Sequence, residues 1–312
     1  MSDGTKISWS EATWNVVTGC TKVSDGCLHC YIDRTPPFRM AHRKFDQDGI
    51  GGTTGVLLHP ERLDWPMRWR KPRRIFVNSL ADLFHDQVPD DYIARVWAVM
   101  ATSAEHTFQV LTKRPARMRA LLNSTDFRAI VDEHWHRTMI QRPSRRQWQP
   151  GTWPLPHVWV GTSTEDQKTA DLRLPQLLAT DAAVHWISAE PLLGQIDLGT
   201  AALVPYERQQ GGFWRYDART GPQQPLQGKT WVPAPPAQLG WVVCGGESGP
   251  GARPMNLDWA RSLRDQCARA GIPFHFKQGG SVLGRQWGGH AKGGDPADWP
   301  EPFPREYPKA VA

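Results

Sequence analysis

The 312-residue chain has no apolar run approaching the ~20 residues that a membrane-spanning helix needs. Its first residues, MSDGTKISWSEATW, lack a basic-then-apolar leader pattern. Both absences predict a cytoplasmic protein with no membrane partner. Cysteine is also scarce, with five in all. In a reducing compartment, clustered thiols bind metal or react more readily than they pair. No internal repeat divides the chain. The length suffices for one large domain or two small ones, with a sizeable core.

What is present is less ordinary. Sixteen residues are tryptophan. Trp159, Trp186 and Trp241 sit in strand-like segments and are expected in the core, while exposed ones could stack on bases. Net charge is +6. Basic residues gather in WRKPRR (69–74), LTKRPARMR (111–119) and QRPSRR (141–146), which is compatible with a polyanionic partner such as nucleic acid. Solvated faces carry such runs too.

Short apolar segments rich in Val, Ile, Phe and Trp begin near Arg74, His106, His157, Val184, Gly240 and Ile272, each ending in polar residues with glycine or proline. They are predicted as buried strands, with a seventh in ATWNVVTG. Helical patterns lie between them, over Asp90–Ala104, Thr164–Thr180 (with a kink or stop expected at Pro175) and Asn256–Gly271. Alternating strands and helices predict an α/β fold with a parallel sheet: a partial or closed (β/α) barrel of six or seven strands. It is expected as a single domain over 1–283, with irregular insertions near 141–156 and 200–239 (the latter with a small hairpin around Phe213–Tyr216) and an irregular tail over 284–312.

Three of the five cysteines fall in TGCTKVSDGCLHCY, as Cys20, Cys27 and Cys30, spaced C-x6-C-x2-C. Thiolates select zinc or iron–sulfur. A 4Fe–4S cube bound by three cysteines keeps one iron free for a substrate or cofactor. Zinc would need a fourth ligand, for which His29 and His42 are near in sequence. Cys244 and Cys267 stand alone, as inert buried thiols do.

In parallel α/β barrels, active sites form at the carboxyl ends of the strands. Here those ends carry Asn78, Ser79 and Asp82; Thr112, Lys113 and Arg114; Ser163 and Glu165; Ser188 and Glu190; Glu247 and Ser248; Lys277 and Gln278. From their chemistry, Lys113, Arg114 and Lys277 suit substrate phosphate or carboxylate, and Glu190 and Glu247 suit cations or hydroxyls. Lys113, Glu190, Glu247 and Lys277 are therefore the candidate catalytic residues. Structural ion pairs, or an Asp82 that only caps a turn, would equally explain some of these residues.

A strand, a three-cysteine loop and an α/β barrel together resemble the radical S-adenosylmethionine (SAM) superfamily, whose usual spacing, C-x3-C-x2-C, has a shorter first gap. More closely, the segments ATWNVVTGCTKVSDGCLHCY, IFVNSLADLFHD, FQVLTKRP, VWVGTSTE, ISAEPLLG, GGESGPGARPM and FHFKQGG resemble a phage-associated three-cysteine family of poorly assigned function. The resemblance implies a 4Fe–4S cluster on Cys20, Cys27 and Cys30, and SAM as cofactor. Ser79 and Asp82 would hold the SAM ammonium, Ser163 and Glu165 the ribose, Gly245 and Gly246 a flat adenine, with His29 beside it. It further implies a nucleic acid or nucleotide substrate for modification or repair, an electron donor, a possible partner protein and, for a phage gene, the host cytoplasm. The alternative from another class is a zinc-containing nucleic-acid-binding protein without SAM chemistry.

Overall fold

The computed structural model describes residues 5, 7–141, 153–199, 215–217, 221–223 and 238–308. Seven strands form one sheet: β1 (Ala12–Trp14), β2 (Arg74–Val77), β3 (Thr107–Thr112), β4 (Val158–Ser163), β5 (Val184–Ala189), β6 (Leu239–Gly245) and β7 (Phe274–Gln278). Each lies beside its neighbour in sequence, and every pairing is parallel. This is the α/β architecture that the alternating segments predict.

The sheet is curled. The Trp9 ring lies 4.6 Å from Phe76 on β2, 5.3 Å from Trp186 on β5 and 6.1 Å from Trp241 on β6. In a flat sheet β2 and β6 would stand about 19 Å apart, four strand spacings, and one indole could not reach both. The result is a half-barrel. The segment at Ile7–Ser10 crosses its open side, where Ser8 Oγ meets His275 Nε2 of β7 at 3.1 Å, and the Tyr307 hydroxyl donates to the Ser8 carbonyl.

Alternation along each strand divides the residues. Ile75, Val77, Phe108, Val110, Val158, Val160, Ile187, Val242, Phe274 and Phe276 point outward into one large core beneath the helices. Phe76, Trp159, Trp186, Trp241 and Val243 point inward and, with Trp9 and Val184, fill the lumen near the strands' amino ends. Gly161 makes this filling possible, since a Cβ there would stand 2.5 Å from the Trp186 ring.

Besides a single turn at Pro36–Met40, the helices among the described residues are α1 (Asp90–Thr102), α2 (Pro115–Leu122), α3 (Thr125–Gln141), α4 (Gln167–Leu178), α5 (Leu257–Ala270) and α6 (Gly280–Trp287). α1 buries Ile93, Val96, Trp97 and Met100, the predicted apolar stripe. Asp166 caps α4 in a reciprocal box with Thr169, and the helix runs through Pro175 to Leu178. α5 starts at the Asn256 cap and stops at Gly271, in the left-handed conformation at φ 66°. α2 and α3 were not foreseen from the sequence, and α6 overlaps the start of the expected irregular tail. Beyond α6, the tail packs Trp299 and Phe303 on Phe276. Of the 200–239 insertion, only the antiparallel pair Arg215–Asp217 with Gly221–Gln223, together with the final residues, is described; Phe213 and Trp214 of the hairpin expected around Phe213–Tyr216 lie outside the described residues, as do 142–152.

Candidate functional site

The cysteine loop leaves β1 and arches over the carboxyl ends of the other strands. Its turn needs Gly19 (φ 99°), because a Cβ there would lie 1.7 Å from the Gly55 carbonyl oxygen. Cys20 is fixed by its N–H donating to Thr54 Oγ1 at 3.0 Å. A 3-10 turn then spans Asp25–Cys27, and the Cys30 N–H donates to the Cys27 carbonyl at 3.1 Å. One tight turn between them brings residues three apart to the same side, which explains the C-x2-C half of the motif. All three thiols are unpaired and line one cavity of about 1360 Å³, shared with the strand ends. Burial, reinforced by Asp82, pushes the Cys20 thiol up to about 12, and burial also raises Cys30. Thiolates there would cost free energy unless a cationic group shared the site.

Two sulfurs on one zinc lie about 4 Å apart, given Zn–S bonds near 2.3 Å. Among the described residues, no three His, Cys, Asp or Glu side chains are gathered closely enough to hold a single ion. His29 lines the cavity, but its Nδ1 is 3.0 Å from Glu247 Oε2. His42 is exposed and does not line the cavity. Cys244 and Cys267 lie in the outer core, where burial raises both thiols, Cys267 to about 12.

Three charged groups of the strand ends grip the loop. After β2, Asp82 accepts from Phe84 N, Thr112 Oγ1 (2.7 Å), Lys113 N and Arg114, and Arg114 reaches on to the Thr21 carbonyl and to Cys20 Sγ at 3.9 Å. After β4, Glu165 is 1% exposed. It bonds Lys113, Arg173 at 2.9 Å and Ser24 Oγ at 3.0 Å. A Cβ on Gly26 would lie 2.3 Å from the Glu165 side chain, so the loop can seat only with glycine there. After β6, Glu247 accepts from Arg253 and His29, and Arg253 reaches the Asp25 carbonyl at 2.9 Å. Burial alone would raise both glutamates; Lys113 and Arg173 in one case, Arg253 and His29 in the other, outweigh it and hold each carboxyl at about 2.

The sequence-predicted site residues thus divide. Cys20, Cys27, Cys30, His29, Ser79, Asp82, Lys113, Ser163, Glu190, Gly246, Glu247 and Lys277 line the cavity. Glu165 and Gly245 are not on its wall. Glu165 spends its oxygens on Lys113, Arg173 and the loop's Ser24, and Asp82 spends its own on four protein donors. Ser79 Oγ pairs with the Asn15 side chain at 3.2 Å. Gly245 and Gly246 pack closely on this chain, where a Cβ on Gly246 would lie 2.2 Å from the Gly279 carbonyl and one on Gly245 2.8 Å from Glu190 Oε1, while Gly246 also lines the cavity. Glu190 and Lys277 pair at 2.8 Å, with Ser188 Oγ donating to Glu190 at 3.1 Å.

Sequence reading missed Ser24, Arg173 and Arg253. Arg173 did leave a signal, a charge inside the otherwise apolar stripe of α4, which can be buried only if paired. The described members of the basic runs have varied surroundings. Arg73 and Arg74 lie at the amino end of β2, against Trp69 and Tyr307, and Lys113, Arg114 and Arg117 are consumed in ion pairs. The run 141–146 falls on residues outside those described, apart from Gln141 at the end of α3.

No helix among the described residues is long and apolar enough to cross a membrane. No curated protein and no solved structure matches the chain. Residues 4–296 match the family described as "Protein of unknown function (DUF5131)". The match spans the cysteine loop, all seven strands and the gripping carboxylates, and by it the chain belongs to the DUF5131 family.

Proposed function

We propose that this protein is a radical SAM-type enzyme acting on a nucleic acid or nucleotide. The observation that carries the proposal is the position of three free thiols on the wall of a large cavity at the carboxyl ends of seven parallel strands. The phage association and the substrate class come with the sequence resemblance; the net charge of +6 is in keeping with them. A 4Fe–4S cluster held by Cys20, Cys27 and Cys30 would supply one-electron reduction of SAM, and with it the radical chemistry that would remove hydrogen from a substrate.

The chain's own residues have defined tasks in this scheme. Cys20, Cys27 and Cys30 hold the cluster. Asp82–Arg114, Glu165–Lys113 and Glu247–Arg253 keep the loop that carries them in one position over the cavity. The tryptophans below close the lumen against water from the amino end. Ser163, Glu190 and Lys277 remain facing the cavity, free to meet SAM or substrate.

Anaerobic reconstitution with iron and sulfide tests this directly. The expected result is broad visible absorbance from the cluster, and 5′-deoxyadenosine on adding SAM and reductant. Cys20→Ala, Cys27→Ala and Cys30→Ala should each abolish both, while Cys244→Ala should retain them. One zinc per chain with no 5′-deoxyadenosine would overturn the proposal.

A further inference from the structure

The Glu190–Lys277 pair differs from the other charged pairs of the strand ends. Those of Asp82, Glu165 and Glu247 each bond a part of the cysteine loop. Among the described residues, neither the Glu190 nor the Lys277 side chain hydrogen-bonds that loop. Both line the cavity and remain partly open to it, at 13% and 24% side-chain exposure. The placement is built by the fold: Gly245 leaves the space that Glu190 occupies, and Ser188 fixes the second carboxylate oxygen.

We infer that this pair is a substrate subsite that reads the edge of a nucleobase, rather than the phosphate of the same molecule. The inference rests on the nucleic acid reading above and extends it to the recognising groups. Lys277 uses one ammonium donor on Glu190 and has two left. Glu190 keeps acceptor lone pairs beside them. Donor and acceptor therefore stand side by side 2.8 Å apart. A base edge offers the complement, a ring nitrogen or carbonyl acceptor next to an N–H donor. A phosphate does not: its charge is attracted by Lys277 and repelled equally closely by Glu190, so a pair of zero net charge gives it little. Enzymes that act on a base take it out of the stack and hold it by such edge contacts in an enclosed pocket, and the cavity is ample for one base.

The test is anaerobic binding of the full chain to short single-stranded DNA and RNA of mixed sequence, beside an abasic strand of equal length, followed by fluorescence anisotropy. The wild-type protein should bind the base-bearing strands more tightly than the abasic one. Lys277→Met and Glu190→Gln should each weaken base-bearing binding about tenfold or more, the worth of a hydrogen bond to a charged group, and leave abasic binding unchanged. The double variant Glu190→Gln/Lys277→Met leaves no lone charge and serves if a single variant fails to fold. Equal weakening on the abasic strand would make this a phosphate contact; wild-type affinity in the variants, or no preference for bases at all, would equally overturn the inference. Cluster absorbance measured on the same samples separates the outcomes, since its absence removes the radical chemistry while base-dependent binding stands or falls by itself.

Discussion

The two ends of the barrel lumen are built from the same seven strands and by opposite chemistry. At the amino end, Phe76, Trp159, Trp186 and Trp241 converge on Trp9 and leave little room for water. At the carboxyl end, the next inward positions along those strands carry Ser163, Ser188 and Lys277, with Glu165, Glu190 and Glu247 just beyond. Apolar bulk stabilises one end without regard to partners. Buried charge at the other is tolerable only when every oxygen and ammonium is matched. The lesson is that the cysteine loop belongs to the second end: it is held by ion pairs and hydrogen bonds rather than by a large apolar interface, so its position can be perturbed without unfolding the barrel.

The comparison breaks most severely at the tryptophan plug. Trp186→Ala removes a fully buried indole that Gly161 exists to accommodate, and is expected to cost about 3–5 kcal/mol in global stability, read as a lower denaturant midpoint. Next comes Glu165→Gln. It leaves Lys113 and Arg173 facing a neutral amide and weakens the Ser24 contact, at about 3 kcal/mol, the low end for breaking a buried pair. Amide exchange should show this loss concentrated in residues 20–30, whereas Trp186→Ala should loosen the whole sheet; identical exchange patterns would remove the distinction between the two ends. Acid is the mildest probe. The Glu165 carboxyl sits at about 2 folded against an ordinary 4.5. A depressed carboxyl stabilises the fold above its unfolded value, and that contribution is lost as pH falls from 4.5 towards 2. The expected loss is on the order of 1 kcal/mol at about pH 3.5, absent in Glu165→Gln and detectable by comparing the two melting temperatures across pH.

Much of the fold was legible because short runs of Val, Ile, Phe and Trp with glycine or proline stops mark buried parallel strands with little ambiguity. The stripe of α1 and the Gly271 stop of α5 were equally plain. α2 and α3 were not, because PARMRALL and TDFRAIVDEHWHRTMIQ interleave charge with apolar residues and lack a clean stripe. At the site, the spacing of Cys20, Cys27 and Cys30 was readable at once, and the structure places all three on one cavity wall. The individual roles of Asp82, Glu165, Gly245 and Gly246 were not readable. A carboxylate at a strand end looks the same in sequence whether it faces a ligand or a loop, and a glycine pair looks the same whether it admits an adenine or the backbone of Gly279.

The sequence alone determined the alternation of strands and helices, the burial of the strand tryptophans and the clustering of three cysteines, because these follow from local pattern and spacing. Tertiary structure alone decided that Ser24 meets Glu165 and His29 meets Glu247, contacts that span 141 and 218 residues. It also left Glu190 and Lys277 as the pair turned toward the cavity. Which charge finds which partner depends on how the sheet curls and where the loop lands, and no local pattern encodes either.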